Sequence, residues 1–215
     1  MRLSQFSLSS PGPKRDRNED AVDFWEPADD DVRRKHGSVA IIADGVGGQN
    51  DGDVASQLAL NIALEVFRQS NPALTTKQIL KEIFQRANLA IYESGMENPR
   101  GGRMATTLTV CIFRDKELSI GHVGDSRVYL VRNEQIKRLT DDHSYTGLQL
   151  KLRLITEHEA RASNLRSTLT RTVGYEPVVR CDFKRVKLLS NGAKHLTQNF
   201  GIGFVILLFC VKHVI

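Results

Sequence analysis

The first half of the chain combines one continuous apolar run with two stretches in which apolar residues recur at helical spacing. Residues 38–43 are rich in β-branched side chains and predict a buried strand. A helix is predicted over residues 53–69, with Asp53 as its N-cap and an apolar stripe made of Val54, Leu58 and Ile62. A second helix is predicted over residues 75–95, with a stripe made of Ile79, Ile83, Ala87 and Ile91. Such stripes are typical of helix faces that pack against a core rather than of cofactor contacts.

Short strand-like segments follow the two helices. They cover residues 106–113, 117–123, 126–132 and 135–139. Antiparallel strands can be joined by the short turns between these segments, whereas parallel strands need a long crossover, so an antiparallel meander is predicted. Residues 147–169 are polar and helix-leaning, as in a flap or small subdomain, and residues 178–189 return to strand character. The chain is therefore predicted to form one α+β domain, with two helices packed on antiparallel sheet.

Composition limits the function classes to be considered. The 215-residue chain is long enough for one domain with a sizeable core, and its 40% hydrophobic and 26% charged residues are typical of soluble globular proteins. Its net charge of +5 comes from residues 180–215, since the first 179 residues are neutral as a whole. This uneven distribution argues against an extended nucleic-acid surface.

Cysteine usage and the two ends of the chain favour a cytoplasmic location. The three cysteines lie far apart and form no Cys-x-x-Cys pair, which fits a reducing compartment better than a disulfide scaffold or a zinc site. The N-terminal residues contain no apolar core of the kind that a signal peptide needs. Residues 200–215 are the apolar candidate for a membrane span, but Lys212 and His213 interrupt them and they fall short of the ~20 residues required.

The strand at residues 38–43 runs into an unusual sequence, ADGVGG at residues 43–48. Aspartate is poorly suited to the interior of a buried strand, so Asp44 is predicted at the end of the strand. The glycines permit backbone angles that other residues avoid, and they let a carbonyl approach a ligand closely. A carboxylate beside such a carbonyl suits a hard cation such as Mg²⁺ or Mn²⁺. The alternative is an ordinary Asp-Gly turn.

Three further groups of acids stand at the ends of predicted strands. They are RDRNED at residues 15–20, GDSR at residues 124–127 and TDDHS at residues 140–144. Carboxylates at strand ends can converge on one rim of a sheet, where two metals bridged by a carboxylate can activate water and hold a phosphoryl group. A nearby arginine would hold the phosphate through paired hydrogen bonds. Each group also has a simpler interpretation, as a turn cap or as a solvated face.

Six motifs, taken in order, resemble the signatures of the metal-dependent protein phosphatases of the 2C type, and those of the bacterial members most closely. The motifs are RDRNED, ADGVGG, MATTLTV, GHVGDSRVYLV, LTDDHS and LTRTVG. The resemblance implies two antiparallel β-sheets packed as a sandwich flanked by helices. It also implies hydrolysis of phosphoserine and phosphothreonine by a water activated at a binuclear Mn²⁺ or Mg²⁺ centre, without a covalent intermediate.

The resemblance further implies a metal-binding role for four residues in the first two motifs. Asp44 would bridge the two catalytic metals and would be central to catalysis. Gly45 would offer its carbonyl to one of these metals. Glu19 and Asp20 would hold waters bound to the metals. In this interpretation the strand at residues 38–43 ends on an acid because that acid is the metal bridge.

Other roles implied by the resemblance concern the substrate and a weaker third metal. Arg15 would act in catalysis by contacting the substrate phosphate, and Asp142 would bind the third metal. Asp125 and Arg127 would have a mainly structural part in the turn that contains them. Residues 145–169 would correspond to the flap on the substrate side of the site.

The sequence departs from the family pattern near its C-terminal end. Beyond LTRTVG the family carries two more aspartates, one in a Ser/Cys-Asp-Gly signature and one in an Asp-Asn pair, and both bind a catalytic metal. Here Asp182 is the last acidic residue. The sequence therefore predicts an incomplete phosphatase domain over residues 1–192, without its last strands, and an atypical apolar tail over residues 193–215. This pattern is the one expected of a truncated or frame-shifted chain.

These features support two functions. The first is a cytoplasmic serine/threonine phosphatase, impaired by its missing ligands, that acts on phosphorylated proteins and opposes a kinase in signal transduction. The second is a non-catalytic module that binds or regulates phosphoproteins and keeps Arg15 and the acidic rim. Attachment to a membrane through the apolar tail is less favoured, because the segment is short and contains Lys212.

Overall fold

The structure is a computed structural model of the chain. It describes residues 3–4, 6–10, 17–46, 51–97, 103–132, 134–188 and 205–209, the last of these by their backbone. In chain order, the strands are β1 (Asp20–Trp25), β2 (Ser38–Val46), β3 (Ala105–Thr106), β4 (Leu108–Arg114), β5 (Glu117–Val123), β6 (Arg127–Arg132), β7 (Gln135–Arg138), β8 (Asp182–Lys187) and β9 (Val205–Phe209). The helices are α1 (Asp30–His36), α2 (Gly52–Gln69), α3 (Thr76–Met96), α4 (Tyr145–Lys151) and α5 (Glu157–Ala162). None of the described helices is long and apolar enough to cross a membrane.

The larger sheet is built around β2, the strand that the apolar run predicts. Its strand order is β1-β2-β4-β5-β8, with β3 also pairing with β2, and every pairing is antiparallel. Strand β2 continues to Val46, so Asp44 and Gly45 lie in its last paired residues. The acid is thus held at the end of a central strand, where neighbouring strands fix its backbone.

The predicted four-stranded meander is wrong, because the chain changes sheets after β5. Strands β4 and β5 form a hairpin in the larger sheet, whereas β6 and β7 form a hairpin in a three-stranded sheet of order β7-β6-β9. The free edge of β5 is taken by β8, which pairs with it from His122↔Asp182 to Glu117↔Lys187. Local sequence pattern predicts the strands but not this exchange of partners, since β8 comes from much farther along the chain.

Part of the apolar tail joins the smaller sheet. Val205–Phe209 pairs antiparallel with β6, in a register that runs from Arg127↔Phe209 to Val131↔Val205. The sequence predicts sheets that lack their last strands, but at this edge the tail supplies one. The pairing gives backbone groups of β6 hydrogen-bonding partners that the sheet would otherwise leave to solvent. The predicted domain boundary at residues 192–193 lies outside the described residues.

The main core lies between the larger sheet and helices α2 and α3. On α3 the predicted stripe of Ile79, Ile83, Ala87 and Ile91 is confirmed, since all four are buried. On α2 the predicted stripe is wrong in part, because Val54 is exposed and Leu58 and Ile62 are only partly buried. The face against the sheet instead consists of Ala55, Ala59, Ala63 and Phe67. Alanines let the helix approach β2 closely. The small residues therefore take the positions against the sheet, and the larger apolar residues lie beside them.

A second core fills the space between the two sheets. Its buried side chains are Cys111, Phe113, Leu118, Ile120, Val128, Leu130, Leu139 and Leu188. Side chains alternate along β4, so Val110 and Ile112 pack toward the helices while Cys111 and Phe113 pack toward the smaller sheet. Helices on one face and a second sheet on the other give the predicted α+β sandwich, and this fold class is confirmed.

Phe67 provides a test of the main core. Its fully buried ring makes edge-to-face contacts with His36 and Trp25, at centroid distances of 4.8 Å and 5.8 Å. Phe67→Ala is expected to lower the free energy of unfolding by about 3–5 kcal/mol, because it leaves a cavity under α2. Urea unfolding followed by the fluorescence of Trp25, the single tryptophan, measures the change. The control Phe6→Ala removes an exposed ring and should shift the free energy of unfolding by less than about 0.5 kcal/mol. Equal losses of stability in the two variants would contradict the placement of Phe67 in the main core.

Candidate metal centre

Asp44, the predicted metal bridge, and Asp20, which is predicted to hold metal-bound water, lie directly opposite each other on β2 and β1. The next pair, Ala21 and Ala43, is buried in the main core, so alternation places both carboxylates on the face that looks toward the smaller sheet. Opposed residues in antiparallel strands have Cβ atoms about 4.5–5.5 Å apart. Asp44 is 6% exposed. Like charges held this close repel, and a divalent cation between them would turn that repulsion into attraction.

Three backbone segments meet beside this pair of acids. The Gly45 N–H donates to the Glu19 carbonyl at 2.9 Å, which ties β2 to the residue before β1. A Cβ at Gly45 would lie 2.1 Å from the carbonyl oxygen of Gly52, the first residue of α2, so a side chain does not fit there. A Cβ at Gly52 would in turn lie 3.3 Å from Glu19 Oε1. Because neither glycine has a side chain, the Gly45 backbone and the Glu19 carboxylate can both lie close to Gly52.

Thr107 fixes the backbone of Asp44 on both sides. Its Oγ1 accepts from the Asp44 N–H at 2.9 Å, and its own N–H donates to the Asp44 carbonyl at 2.9 Å. The same Oγ1 lies 2.9 Å from Ser126 Oγ, and both hydroxyls are buried. The site is thereby linked to the turn between β5 and β6. Sequence reasoning does not identify Thr107 or Ser126, although the motifs MATTLTV and GHVGDSRVYLV contain them.

Asp142, the predicted ligand of a third metal, is engaged by two arginines. Its carboxylate accepts from Arg127 Nη2 at 2.6 Å and from Arg127 Nε at 3.2 Å, and Arg138 donates to it as well. These hydrogen bonds raise the pKa of Arg127, and the side chain of Asp142 is 8% exposed. Breaking a buried ion pair of this kind is strongly destabilising. The metal-binding role of Asp142 stays a prediction, and it would require the carboxylate to release an arginine.

Asp125, in contrast to Asp142, lies in surroundings that disfavour the charged form of its carboxyl. It lies in the turn before β6, where burial raises the pKa of its carboxyl to about 6 and the negative charge of Asp142 adds to the rise. A carboxylate whose charged form is disfavoured by its surroundings is one that a nearby cation would stabilise. The sequence offers no sign of this burial, because the turn between two strands is ordinarily exposed.

The described residues fit a divalent cation, but they form a partial ligand set. Asp20 and Asp44 offer carboxylate oxygens and Gly45 offers a carbonyl, which are the hard donors that Mg²⁺ and Mn²⁺ prefer. Within the described ranges, no group of three or more His, Cys, Asp or Glu side chains has the geometry of a metal site. Arg15, the predicted phosphate ligand, lies outside the described residues, as do residues 47–50.

A surface cleft of about 530 Å³ opens beside Asp20. Its polar walls come from Asn18 and from the first turns of α2, where they include Asp53, Gln57 and Asn61. The cleft thus lies between the start of β1 and α2, and Asp20 is the member of the acid pair that lines it. The space is large enough for a side chain that flanks a phosphorylated residue.

His122 is buried near the same rim and gives stability a pH dependence. Its Nδ1 lies 2.8 Å from Thr109 Oγ1, and its Nε2 lies 3.1 Å from the Asp141 carbonyl. Burial, together with the charge of His143, lowers the pKa of His122 to about 3. The unfolded chain, whose histidine pKa is about 6.5, therefore takes up a proton first as the pH falls. Stability is fully present above the unfolded value and declines through the window between about 6.5 and 3.

We expect His122→Asn to flatten this pH dependence. Between about pH 6.5 and 5, the histidine contributes a slope of up to ~1.4 kcal/mol per pH unit to the free energy of unfolding. The variant is less stable at neutral pH, since it loses the hydrogen bond to Asp141, but it loses less on acidification. Urea unfolding of both proteins across this range measures the two slopes. Identical slopes would show that His122 is not the titrating group.

Thr107→Val tests the clamp on Asp44. The substitution keeps the shape of the side chain but removes the acceptor of the Asp44 N–H, which then stays buried without it. Loss of an outer partner of a metal ligand typically weakens metal binding 10–100-fold, so Mn²⁺ affinity is expected to fall by about tenfold or more. Isothermal titration with Mn²⁺ measures the affinity. Thr107→Ser retains the hydroxyl and serves as the matched control; equal losses in both variants would refute the clamp.

Comparison with known proteins agrees with this geometry. The family model described as protein phosphatase 2C matches residues 15–173. Protein phosphatase PhpP of Streptococcus pneumoniae is 31% identical over 198 residues, which make up 91% of this chain and 77% of the relative.

Solved structures of serine/threonine phosphatases have the same fold. Stp1 from Staphylococcus aureus matches with a TM-score of 0.76 at 26% identity, over 87% of this chain and 74% of that one. The catalytic domain of the phosphatase PstP, in complex with 2 manganese ions, matches with a TM-score of 0.67 at 26% identity, over 84% and 70%. The motifs, the sandwich fold and the match over most of its length show that the chain belongs to the protein phosphatase 2C family.

Proposed function

We propose that the chain is a metal-dependent protein phosphatase that hydrolyses phosphoserine and phosphothreonine in other proteins. The observation that carries the proposal is the placement of Asp20 opposite Asp44, with Gly45 beside them, at the end of the central strand. Membership of the protein phosphatase 2C family supports it, because relatives such as PhpP are named protein phosphatases.

Asp44 and the Gly45 carbonyl would hold the catalytic Mn²⁺ or Mg²⁺, and the carboxylates of Glu19 and Asp20 would hold waters bound to the metals. The PstP structure with 2 manganese ions supports a two-metal centre. Divalent cations at such a centre supply charge that stabilises phosphoryl oxygens and lower the pKa of water toward neutrality. The donors proposed here are all hard oxygen atoms, which both Mn²⁺ and Mg²⁺ bind.

The chain contributes preorganisation of the acids. Thr107 holds the Asp44 peptide through two hydrogen bonds, so its carboxylate need not be ordered when a cation or substrate arrives. Burial of Asp44 places its charge in surroundings of low dielectric constant, where its attraction for a cation is stronger than in water. Fixed and partly desolvated charges of this kind account for much of the rate enhancement in many enzymes.

Arg15 is the residue that we propose for binding the substrate phosphate. It precedes Asp20 by five positions, and its planar guanidinium can donate two parallel hydrogen bonds to phosphate oxygens. The cleft beside Asp20 would receive side chains that flank the phosphorylated serine or threonine. No side chain is required to form a bond to phosphorus, since water is the nucleophile in this proposal.

A third and weaker cation would be stabilised at Asp125 more readily than at Asp142. Asp142 is already neutralised by Arg127 and Arg138, so a cation there would have to displace one of them. The carboxyl of Asp125 has a pKa raised to about 6 by burial, and positive charge nearby would favour its ionised form. We therefore propose a cation contact for Asp125, while the metal-binding role of Asp142 stays a prediction.

A non-catalytic phosphoprotein-binding module is the alternative function that the sequence leaves open. It rests on residues 193–215, which depart from the family pattern in the region where that pattern carries two further aspartates. None of the matched proteins described above favours it, since PhpP, Stp1 and PstP are all named as phosphatases. Catalysis is therefore the proposed function, and impairment of its rate stays a prediction.

We also propose that the protein works in the cytoplasm, against a serine/threonine kinase in signal transduction. Its sparse cysteines support this location, and Cys111 and Cys181 are both free thiols. Burial raises the pKa of both thiols to about 12, so they are poor nucleophiles at neutral pH. Phosphorylated proteins are the proposed partners.

Asp44→Asn tests the proposed function. Removing a metal ligand should cost more than removing an outer partner, so Mn²⁺-dependent hydrolysis of a phosphothreonine peptide is expected to fall at least about 100-fold. Release of inorganic phosphate at saturating Mn²⁺ measures the rate. Asp115→Asn makes the same chemical change in the exposed turn between β4 and β5 and should leave the rate unaltered.

Two outcomes would count against this function. Hydrolysis that survives Asp44→Asn would remove Asp44 from the site. A folded wild-type protein that binds Mn²⁺ and the phosphopeptide but releases no phosphate would favour the non-catalytic module.

A further inference from the structure

His143 holds the turn between β5 and β6 through two of its groups. Its backbone N–H donates to the Gly124 carbonyl at 2.8 Å, and its ring nitrogen Nδ1 accepts from the Gly124 N–H at 3.1 Å. The residue is 7% exposed. Both backbone hydrogen-bonding groups of Gly124 are therefore bonded to one histidine, and the position of the glycine depends on it.

The hydrogen bonds of the ring define its proton arrangement. Because Nδ1 accepts, the neutral ring carries its proton on Nε2. Nε2 lies 3.2 Å from Asp182 Oδ2 and donates to it, while Arg171 Nη1, 3.2 Å from the same nitrogen, donates to Asp182 Oδ1 at 2.7 Å. Burial and the positive charge of Arg171 lower the pKa of His143, which favours the neutral form. The two ring nitrogens thus serve different partners, and they can be tested separately.

Gly124 is pressed directly against Thr107. Its φ of +112° lies in the region that favours glycine, and a Cβ built on it would lie 2.5 Å from both Cβ and Cγ2 of Thr107. There is no room for a side chain at Gly124, so its backbone packs against the Thr107 side chain. Outward movement of the Gly124 backbone would remove this packing contact. Thr107 Oγ1 is the acceptor of the Asp44 N–H. A path of direct contacts therefore joins the His143 ring, Gly124, Thr107 and Asp44.

The same residue is bonded to the far end of the segment at residues 145–169. The His143 carbonyl accepts from the Thr170 N–H at 2.8 Å, and the next residue, Ser144, pairs with Leu169. The residues on either side of this segment are thus tied together next to Gly124. Displacement of His143 would act on both the acidic rim and the segment beside it.

We propose that His143 is a positioning residue of the phosphatase site, whose Nδ1 holds Gly124 against Thr107 and thereby sets the Asp44 end of β2. The inference rests on the proposed function, since it concerns the same site. His143 acts through Gly124 and Thr107, so its effect should fall on metal binding and turnover rather than on substrate binding. Its contacts with Asp182 and Arg171 are not part of this role.

Two substitutions of His143 test the roles of its two ring nitrogens separately. The side-chain oxygen of asparagine lies as many bonds from Cα as Nδ1 does, so His143→Asn keeps an acceptor for the Gly124 N–H. The side-chain nitrogen of glutamine corresponds to Nε2, so His143→Gln keeps a donor to Asp182 but leaves Gly124 without its acceptor. Asp182→Asn, at a half-exposed carboxylate, is the control for the Nε2 side.

Steady-state kinetics on a phosphothreonine peptide supply the first measurement. For His143→Gln we expect kcat to fall about tenfold, the Mn²⁺ concentration for half-maximal rate to rise by a similar factor, and KM for the peptide to stay unchanged. His143→Asn and Asp182→Asn should remain within about threefold of wild type. Equal losses in the asparagine and glutamine variants, or a wild-type rate in His143→Gln, would overturn the proposal. A change in melting temperature without a change in kcat would overturn it too.

Amide hydrogen exchange of the metal-free protein supplies a readout that does not depend on activity. In His143→Gln the amides of Gly124 and Asp44 are expected to exchange about tenfold faster or more, whereas in His143→Asn they should exchange as in wild type. Unchanged exchange in His143→Gln would overturn the proposal. If that variant does not fold, faster exchange at these amides in His143→Asn would overturn it.

The two measurements distinguish failure of the inference from failure of the proposed function. Absence of hydrolysis by the wild-type protein would count against the phosphatase assignment, while the exchange rates would still decide whether His143 positions Asp44. Normal hydrolysis by wild type together with unaltered rates in His143→Gln would leave the phosphatase assignment intact and reject the role of His143.

Discussion

The antiparallel register of β1 on β2 is the constraint on which the rest of the site depends. It sets Asp20 against Asp44 and buries the next pair, Ala21 and Ala43, beneath α2. A slip of one residue would move the Asp20 carboxylate into the apolar core and Ala21 to the opposite face, so the packing of the core also fixes the position of this acid. Burial of small apolar side chains thus provides the free energy that holds two like charges side by side.

The second determinant of the site is the place where the chain leaves one sheet for the other. Between β5 and β6 it passes through a glycine with positive φ that packs on Thr107, and Ser126 then contacts the Thr107 hydroxyl. This crossing lets the larger sheet supply Asp44 while the smaller sheet supplies Arg127, which neutralises Asp142. The three acids therefore have different surroundings. Asp44 is fixed through its backbone, Asp142 is paired with arginines, and Asp125 has a raised pKa.

The sequence predicts most of the elements, and its errors have a common cause. The strand at residues 38–43 and the stripe on α3 are recovered because a single buried face produces a single periodic pattern. On α2, larger apolar residues and a row of alanines run side by side, and only contact with β2 decides that the alanines face inward. The meander fails for the same reason, since β5 finds β8 rather than β6 as its second neighbour. In each case two local patterns are compatible with the sequence, and long-range packing selects one.

What the sequence determines by itself is the chemistry available to the protein. Ordered motifs with acids at strand ends are enough to indicate the family, the sandwich of antiparallel sheets and a site of hard oxygen ligands around Asp44. Which acids share that site, and which are neutralised, is decided by tertiary structure alone. Charge and hydrogen bonding act over a few ångströms, and segments distant in sequence supply Thr107, Arg127 and His143 at those distances.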